Sequence, residues 1–287
     1  MYACNVFESF QPIMKWPKTS RNPSTAQGLT RADLMACVAL MAVLTAVAAS
    51  ALSSSKDNAS RVVCGSNLRQ MALAEGMYAG ENRDYLAFCN WDGGDMEQPG
   101  GGWLYTLPNA GGDSIPNPFA APWSTHPQSA WTNGLWWPYV LNANSYLCPV
   151  DIQSSDYKGL RNNKLSSYLM NGAACGFGQV NGGQLPFPTC KVSDVWSPRC
   201  YLLWEVDENA LGPDNPGAFD YNDGASYPTA PPEGGEGLGS LHGNNGGEVV
   251  SVGGSVSFVT LKTFQAQAAA TGTTNLAWWS PFGVGNR

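Results

Sequence analysis

The residues able to do chemistry in this chain are few: eight cysteines, two histidines and one tight group of carboxylates. Cys64, Cys89, Cys148, Cys175, Cys190 and Cys200 all lie in a Gly- and Pro-rich body, and an even number there suits oxidative stapling. Six thiols allow fifteen connectivities. Local closure around Pro198 favours a Cys190–Cys200 bridge, and Cys64–Cys148 comes second as a tie between an N-terminal helix and the body. Zinc is the rival for these thiols, but there is no C-x-x-C pair and only His126 and His242 could complete a site, so no metal is assigned to them. The carboxylates are Glu205, Asp207 and Glu208 in LLWEVDENA. Glu205 and Asp207 alternate with Trp204 and Val206, so they would share one face of a strand. Such a pair could serve glycoside hydrolysis or, with Asp214, Asp220 and Asp223, hold calcium. The plainer reading is a solvated strand end.

Serines near the two histidines form no G-x-S-x-G elbow, and neither a P-loop nor a spaced-histidine zinc motif is present. The chain is therefore not read as an enzyme and is given no cofactor, calcium on Glu205 and Asp207 being the alternative. Eleven tryptophans are the remaining excess. Trp103, Trp123, Trp131, Trp136, Trp137, Trp278 and Trp279 fall mostly in loop-like sequence, where they would either pin loops to a small core or offer indole faces to sugars.

The segment that must place this body is a 19-residue run without charge, Leu34 to Leu52. As a helix it spans roughly 28 Å, about one hydrocarbon core. Residues 1–31 carry Lys15, Lys18, Arg21 and Arg31 against Glu8, whereas residues 53–287 hold 11 basic and 20 acidic residues. That asymmetry predicts a cytoplasmic N-terminus and an exported acidic body. With no basic cluster, the body would repel a phosphate backbone, and nucleic acid is excluded as a partner. A secretory signal would be cut after the run, near Ala48 to Ser53. In LMAC the cysteine precedes the apolar stretch, the wrong order for lipid attachment. The third possibility is a cut before the run, which keeps the helix.

QGLTRAD (Gln27 to Asp33) puts a glycine at the polar–apolar border, then a lone acid, then the run. This resembles the N-terminal cleavage and methylation segment of type IV prepilins and type II secretion pseudopilins. The resemblance implies that a prepilin peptidase cuts after Gly28, that Leu29 becomes the methylated N-terminus, and that Asp33 pairs during assembly with the terminal amine of a neighbouring subunit. Leu29 stands where phenylalanine is usual and Asp33 where glutamate is usual. A buried charge pair of this kind fixes register more than it adds affinity.

After the run, Val62, Cys64 or Val63, Leu68, Met71 or Ala72, and Tyr78 recur at helical spacing, which predicts an amphipathic helix with Arg61, Arg69, Gln70 and Glu75 on its wetter side and a stop at Gly80. The three serines and Asp57 would loosen or briefly interrupt the helix near Ser53, within an expected rod of roughly 50 residues. CGSNLRQMALAEGMYAGENRDYL (from Cys64), YLCPVD (Tyr146 to Asp151), SSYLMNG (Ser166 to Gly172), SPRCYLLWEVD (Ser197 to Asp207) and LHGNNGGEVVSVGGSVSFV (Leu241 to Val259) resemble successive blocks of the large pilin-like families of Planctomycetes and Verrucomicrobia. The usual Asp-Gly-His turn of the last block is replaced by Gly253, Gly254 and Ser255.

Read by itself, that last block is two alternating strands, Glu248 to Val252 and Ser255 to Val259, joined by a Gly-Gly turn with positive φ at both positions. The expected fold is α+β: a long N-terminal helix packed on a small antiparallel sheet, with long Gly-, Pro- and Trp-rich surface loops over 90–144 and 209–240. Expected boundaries are a cleaved leader 1–28, a transmembrane and assembly helix 29–52, an amphipathic helix 53–86 and a globular head 87–287.

The reading that follows is a prepilin-like subunit of a type IV pilus or type II secretion pseudopilus. It would be single-pass in the bacterial inner membrane with a periplasmic head, reaching the cell surface on assembly. Its partners would be the prepilin peptidase, like subunits, other pilins or pseudopilins, and the inner-membrane assembly machinery. A membrane-anchored carbohydrate-binding protein is the alternative, resting on the loop tryptophans; a membrane-anchored hydrolase rests only on Glu205 and Asp207.

Overall fold

The computed structural model describes residues 28, 30–91, 101–106, 125–159, 164–177, 189–205, 224–228, 237–243, 245–272 and 274–282. The chain divides into two compact units, Met1–Ala51 and Leu52–Arg287.

In the first unit the chain enters helix α1, Arg31–Glu81. Thr30 caps it. The Thr30 Oγ1 accepts from the Asp33 amide at 3.2 Å, while Asp33 Oδ2 accepts from the Thr30 amide and hydroxyl at 3.0 and 2.7 Å. This reciprocal arrangement satisfies donors that a helix start otherwise leaves open. From Arg31 to Ala49 the helix is long and apolar enough to cross a membrane, and none of it is buried within the protein. Leu34, Met35, Leu40, Leu44 and Val47 are all exposed. The helix continues unbroken through Ser53 to Asp57, giving 51 residues in all, as expected of a rod of that length.

In the second unit α1 turns one face to a core. Cys64, Leu68, Met71, Ala72, Ala74 and Ala79 are buried. Two positions depart from the expected stripe. Val62 is exposed, and Glu75, assigned to the wet side, is 2% exposed. Hydropathy misplaces Glu75 because it ignores the partners a fold can bring: its carboxylate accepts from the Ala87 amide at 3.0 Å and from the Trp136 indole N–H at 2.9 Å. Burial, partly opposed by those two donors, pushes its pKa up to about 8. The helix ends one residue past Gly80, and the turn that follows is made by Arg83 and Asp84 at positive φ rather than by the glycine.

The sheet has five strands: β1 (Tyr168–Asn171), β2 (Tyr201–Glu205), β3 (Ala225–Ser226), β4 (Gly246–Ser251) and β5 (Val256–Thr260), in the order β3-β1-β2-β4-β5. Three pairings are antiparallel, and the short edge strand β3 runs parallel to β1. The architecture is thus the expected α+β one, with a mixed sheet. Arg61 joins α1 to the sheet, its Nε donating to Glu248 Oε1 at 2.8 Å and its guanidinium lying 4.2 Å from the Phe258 ring centre.

The β4–β5 connection differs in detail from the expected two-residue turn. Val250 pairs with Val256, and the Gly254 amide donates to Ser251 O. This leaves a three-residue loop in which only Gly254 has positive φ, at 79°, a common hairpin closure. Gly253 is small for another reason: a Cβ there would lie 2.9 Å from Pro198 O, which accepts the Gly253 amide.

The stretch 90–144, expected on the surface, instead fills much of the core where it is described. It supplies the short helices α2 (Gln128–Trp131) and α3 (Trp137–Val140) and the buried Trp103, Leu104, Tyr105, Trp131 and Trp136. Indole N–H groups fix the loops. Trp103 donates to Gly224 O, Trp131 to Leu165 O, Trp278 to Ala268 O and Trp279 to Tyr201 O, all within 3.0 Å. A buried indole needs such a partner, and here the Trp103, Trp131 and Trp279 bonds tie together segments 34 or more residues apart. Trp137 is half-buried, and Trp123 lies outside the described residues. Two further helices among the described residues are α4 (Ser155–Gly159) and α5 (Leu261–Ala269).

Candidate metal centre

Four buried side chains from four segments meet in the second unit. Cys64 comes from α1, Cys148 from the loop ahead of the Asp151 turn, Glu205 from the last position of β2 and His242 from the turn leading into β4. One ligand atom from each lies within 4.8 Å of all the others. His242 Nε2 is 2.9 Å from Glu205 Oε1, 3.1 Å from Cys64 Sγ and 3.5 Å from Cys148 Sγ. Cys64, Cys148 and Glu205 are fully buried and His242 is 4% exposed.

Each side chain is held there by local structure. Cys64 and Asn67 sit three residues apart on one face of α1. Asn67 Nδ2 donates to Leu147 O at 3.1 Å and to Tyr168 Oη at 3.2 Å, so the helix that carries one thiol also anchors the loop that carries the other. The Tyr168 hydroxyl in turn hydrogen-bonds to the Cys64 thiol. Glu205 Oε2 accepts the Glu248 amide at 2.8 Å, which leaves Oε1 facing the imidazole. Gly239, just upstream of His242, is tied by its amide to Glu205 O at 2.8 Å. Gly247 lets the strands close over the carboxylate, since a Cβ there would lie 3.0 Å from Glu205 Oε2.

The electrostatics are those of an anionic cluster around one ring. Hydrogen bonding from Cys64 draws the Cys148 thiol down to about 6 against the effect of burial, with His242 acting in the same direction. Cys64 is pushed well above the usual thiol range, first by its hydrogen bond to Cys148 and then by burial. Burial disfavours the His242 imidazolium, but Cys148 and Glu205 outweigh it and raise the group to about 10. Nε2 has one proton or one lone pair to offer, yet three polar atoms lie within 3.5 Å of it. Glu205 Oε1 makes no aligned hydrogen bond, and neither does His242 Nδ1 among the described residues.

In the sequence Cys64 and Cys148 pair as a second candidate bridge, His242 is one of two histidines available to the thiols, and Glu205 belongs to a separate carboxylate group, with no metal assigned. The structure gathers them into a two-sulfur, one-nitrogen, one-oxygen set. No local motif could show it, because His242 is 178 residues from Cys64 and 94 from Cys148. The one available signal was that four of the five head blocks each contain a Cys, His or Glu that ends up here; the fifth supplies Tyr168. Glu205 is not at a solvated strand end, and its proposed calcium partner Asp207 lies outside the described residues, as do Asp214, Asp220 and Asp223.

The remaining site residues are placed as follows. Gly28 is exposed, Leu29 lies outside the described residues, and Asp33 is in the first turn of α1. Cys190 and Cys200 are both buried and free, so their expected bridge is not made; strand β2 carries its chain away from Cys200, while Cys190 is held by its amide against Ala174 O. Cys64 and Cys148 are neighbours but unbonded. Cys89 and Cys175, not singled out as a pair in the sequence, have sulfurs 3.0 Å apart. His126 touches Thr125 Oγ1 at 3.0 Å on the surface, away from any of these groups.

No protein-family model matches this chain, and no curated protein or solved structure matches it.

Proposed function

We propose that this chain is a prepilin-like structural subunit, anchored in the bacterial inner membrane by the first part of α1, with its leader in the cytoplasm and its head in the periplasm. A prepilin peptidase would cut between Gly28 and Leu29, and the apolar helices would then associate with those of like subunits in a pilus or secretion pseudopilus. The observation that carries this reading is the state of Arg31–Ala49: a helical apolar segment with no protein cover, preceded by an exposed Gly28 at the charged border. Uncovered apolar surface on that scale needs lipid or other helices around it. Of the tryptophans behind the carbohydrate-binding alternative, Trp103, Trp131, Trp136, Trp278 and Trp279 are buried and Trp137 is half-buried, while Trp196 is exposed; Glu205, on which the hydrolase alternative rests, is buried.

N-terminal sequencing of the membrane-extracted protein tests the proposal. The expected terminus is N-methylated Leu29, and replacing Gly28 with a bulky residue should leave the uncut precursor. A terminus at Ala51 or Leu52, or an intact Met1 in assembled material, would overturn it. Asp33 gives a second arm. Its capping bonds to Thr30 lie beyond the cut and survive processing. Asp33→Ala therefore removes a local cap worth about 1 kcal/mol as well as the charge, while Asp33→Glu keeps the charge. Crosslinked multimers should be lost in the alanine variant and retained in the glutamate variant; equal yields would remove the assembly role.

A further inference from the structure

We infer that Cys64, Cys148, Glu205 and His242 bind a zinc ion, and that this ion is a structural clamp joining α1 to the sheet of the head. A tetrahedral zinc has sulfur ligands at about 2.3 Å and nitrogen or oxygen ligands at about 2.0–2.2 Å. Its ligand atoms must therefore stand about 3.3–3.8 Å from one another. The His242 Nε2 contacts of 2.9, 3.1 and 3.5 Å fall at or a few tenths below that range, and all four atoms lie within 4.8 Å. Small side-chain shifts suffice to complete the shell.

Hydrogen bonding does not account for the same arrangement. Nε2 can take part in one in-line bond, whereas two sulfurs and a carboxylate oxygen converge on it. A cation at the centre satisfies all four atoms at once. It also removes the cost of burying a carboxylate beside thiols in a core where each ligand is at most 4% exposed.

The donor set chooses the metal. Two thiolates exclude calcium and magnesium, which take oxygen ligands. Two sulfurs with one nitrogen and one oxygen in a four-ligand group suit zinc. The outer contacts fit as well. Tyr168 hydrogen-bonds to Cys64, and Glu205 is left to bind through Oε1 because its Oε2 is occupied by the Glu248 amide. Second contacts of this kind orient ligands and adjust their basicity. The site is closed, with four protein ligands and no exposed face for a reacting water, so its role is structural and not catalytic. Its consequence is mechanical. The thiol on α1 becomes bonded, through the ion, to β2 and to the turn before β4, so the helix cannot separate from the head without breaking metal–ligand bonds.

The test uses the full chain, purified in detergent with thiols kept reduced and loaded with zinc. Elemental mass spectrometry should find one zinc per chain. Cobalt(II) in its place should give the intense visible bands of a tetrahedral thiolate site. Cys148→Ser and His242→Ala should each weaken zinc binding by about 100-fold or more, and Cys190→Ser should leave it unchanged. Because the alanine variant could fail to fold, His242→Cys is the companion. It should keep the metal and, with cobalt, show added sulfur-to-cobalt charge transfer. Loaded wild-type protein without zinc, a six-coordinate cobalt spectrum, or a Cys64–Cys148 disulfide in most of the native protein would each overturn the inference.

Discussion

Two of the buried glutamates of the head, Glu75 and Glu205, lie in thiol-containing neighbourhoods, and chemistry separates them. Glu75 and Glu205 are both sealed from solvent, and each accepts a backbone amide, Ala87 in one case and Glu248 in the other. Around Glu75 the next partner is the Trp136 indole, and Cys190 lies near enough to feel the carboxylate. No cation faces it among its described contacts, so burial wins and the acid keeps its proton near neutral pH. Around Glu205 an imidazole and two sulfurs occupy the open side. The same side chain is a neutral hydrogen-bonding group in one place and a ligand in the other. Burial alone does not make a site; converging lone pairs do.

The largest effect that would break this comparison comes from removing metal. Chelation of the zinc-loaded protein should lower the thermal midpoint by about 10 °C or more, given that loss of a metal ranks with changes above about 4 kcal/mol and that about 2–4 °C follow each kcal/mol in a domain of this size. Differential scanning calorimetry before and after chelation checks it, and an unchanged midpoint would place Glu205 in the same class as Glu75.

The thiols divide next. The sulfurs of Cys89 and Cys175 lie 3.0 Å apart. With oxidised glutathione as electron acceptor they should form a disulfide, their two electrons and two protons passing to glutathione disulfide, whose S–S bond breaks to give two thiols. Closing that loop should stabilise the head by about 2–4 kcal/mol. Peptide mass mapping should find Cys89 joined to Cys175, with Cys64 and Cys148 resisting alkylation until a chelator is added. Free Cys89 and Cys175 after oxidation, or early alkylation of Cys64, would erase the distinction.

The smallest effect is a pH slope. Glu75 has its folded pKa raised from 4.5 to about 8. Between those values the folded state holds a proton that the unfolded chain has released, so stability falls as pH rises through the window, by at most about 1.4 kcal/mol per pH unit. Glu75→Gln should flatten that slope and be the more stable form near the upper end, as read from denaturant midpoints across the window. An unaltered slope in the glutamine variant would return the titration to another group.

Several features could be read from the residues alone, for physical reasons. An uncharged run of helical length has few alternatives, so the apolar half of α1 and the charge border before it were legible. Period-two hydrophobicity around paired glycines gave the β4–β5 hairpin and the α+β class, because strand alternation is a local property. The hairpin also shows where local reading stops: the two glycines serve different ends, and Gly253 answers to Pro198, more than fifty residues earlier in the chain. The tryptophan loops read as surface because polar, Gly-rich sequence lacks periodicity, whereas indole N–H bonds to distant carbonyls draw them into the core.

What the sequence determined, then, was each ligand's own setting: Cys64 on a helix beside Asn67, Glu205 on a strand, His242 before a hairpin. That these settings converge was decided only in three dimensions. The β1–β2–β4 pairing carries Glu205 next to the Glu248 amide, and Asn67 draws the Cys148 loop onto α1. Metal geometry depends on distances between side chains, and across separations of 94 and 178 residues such distances are set by packing and not by spacing along the chain.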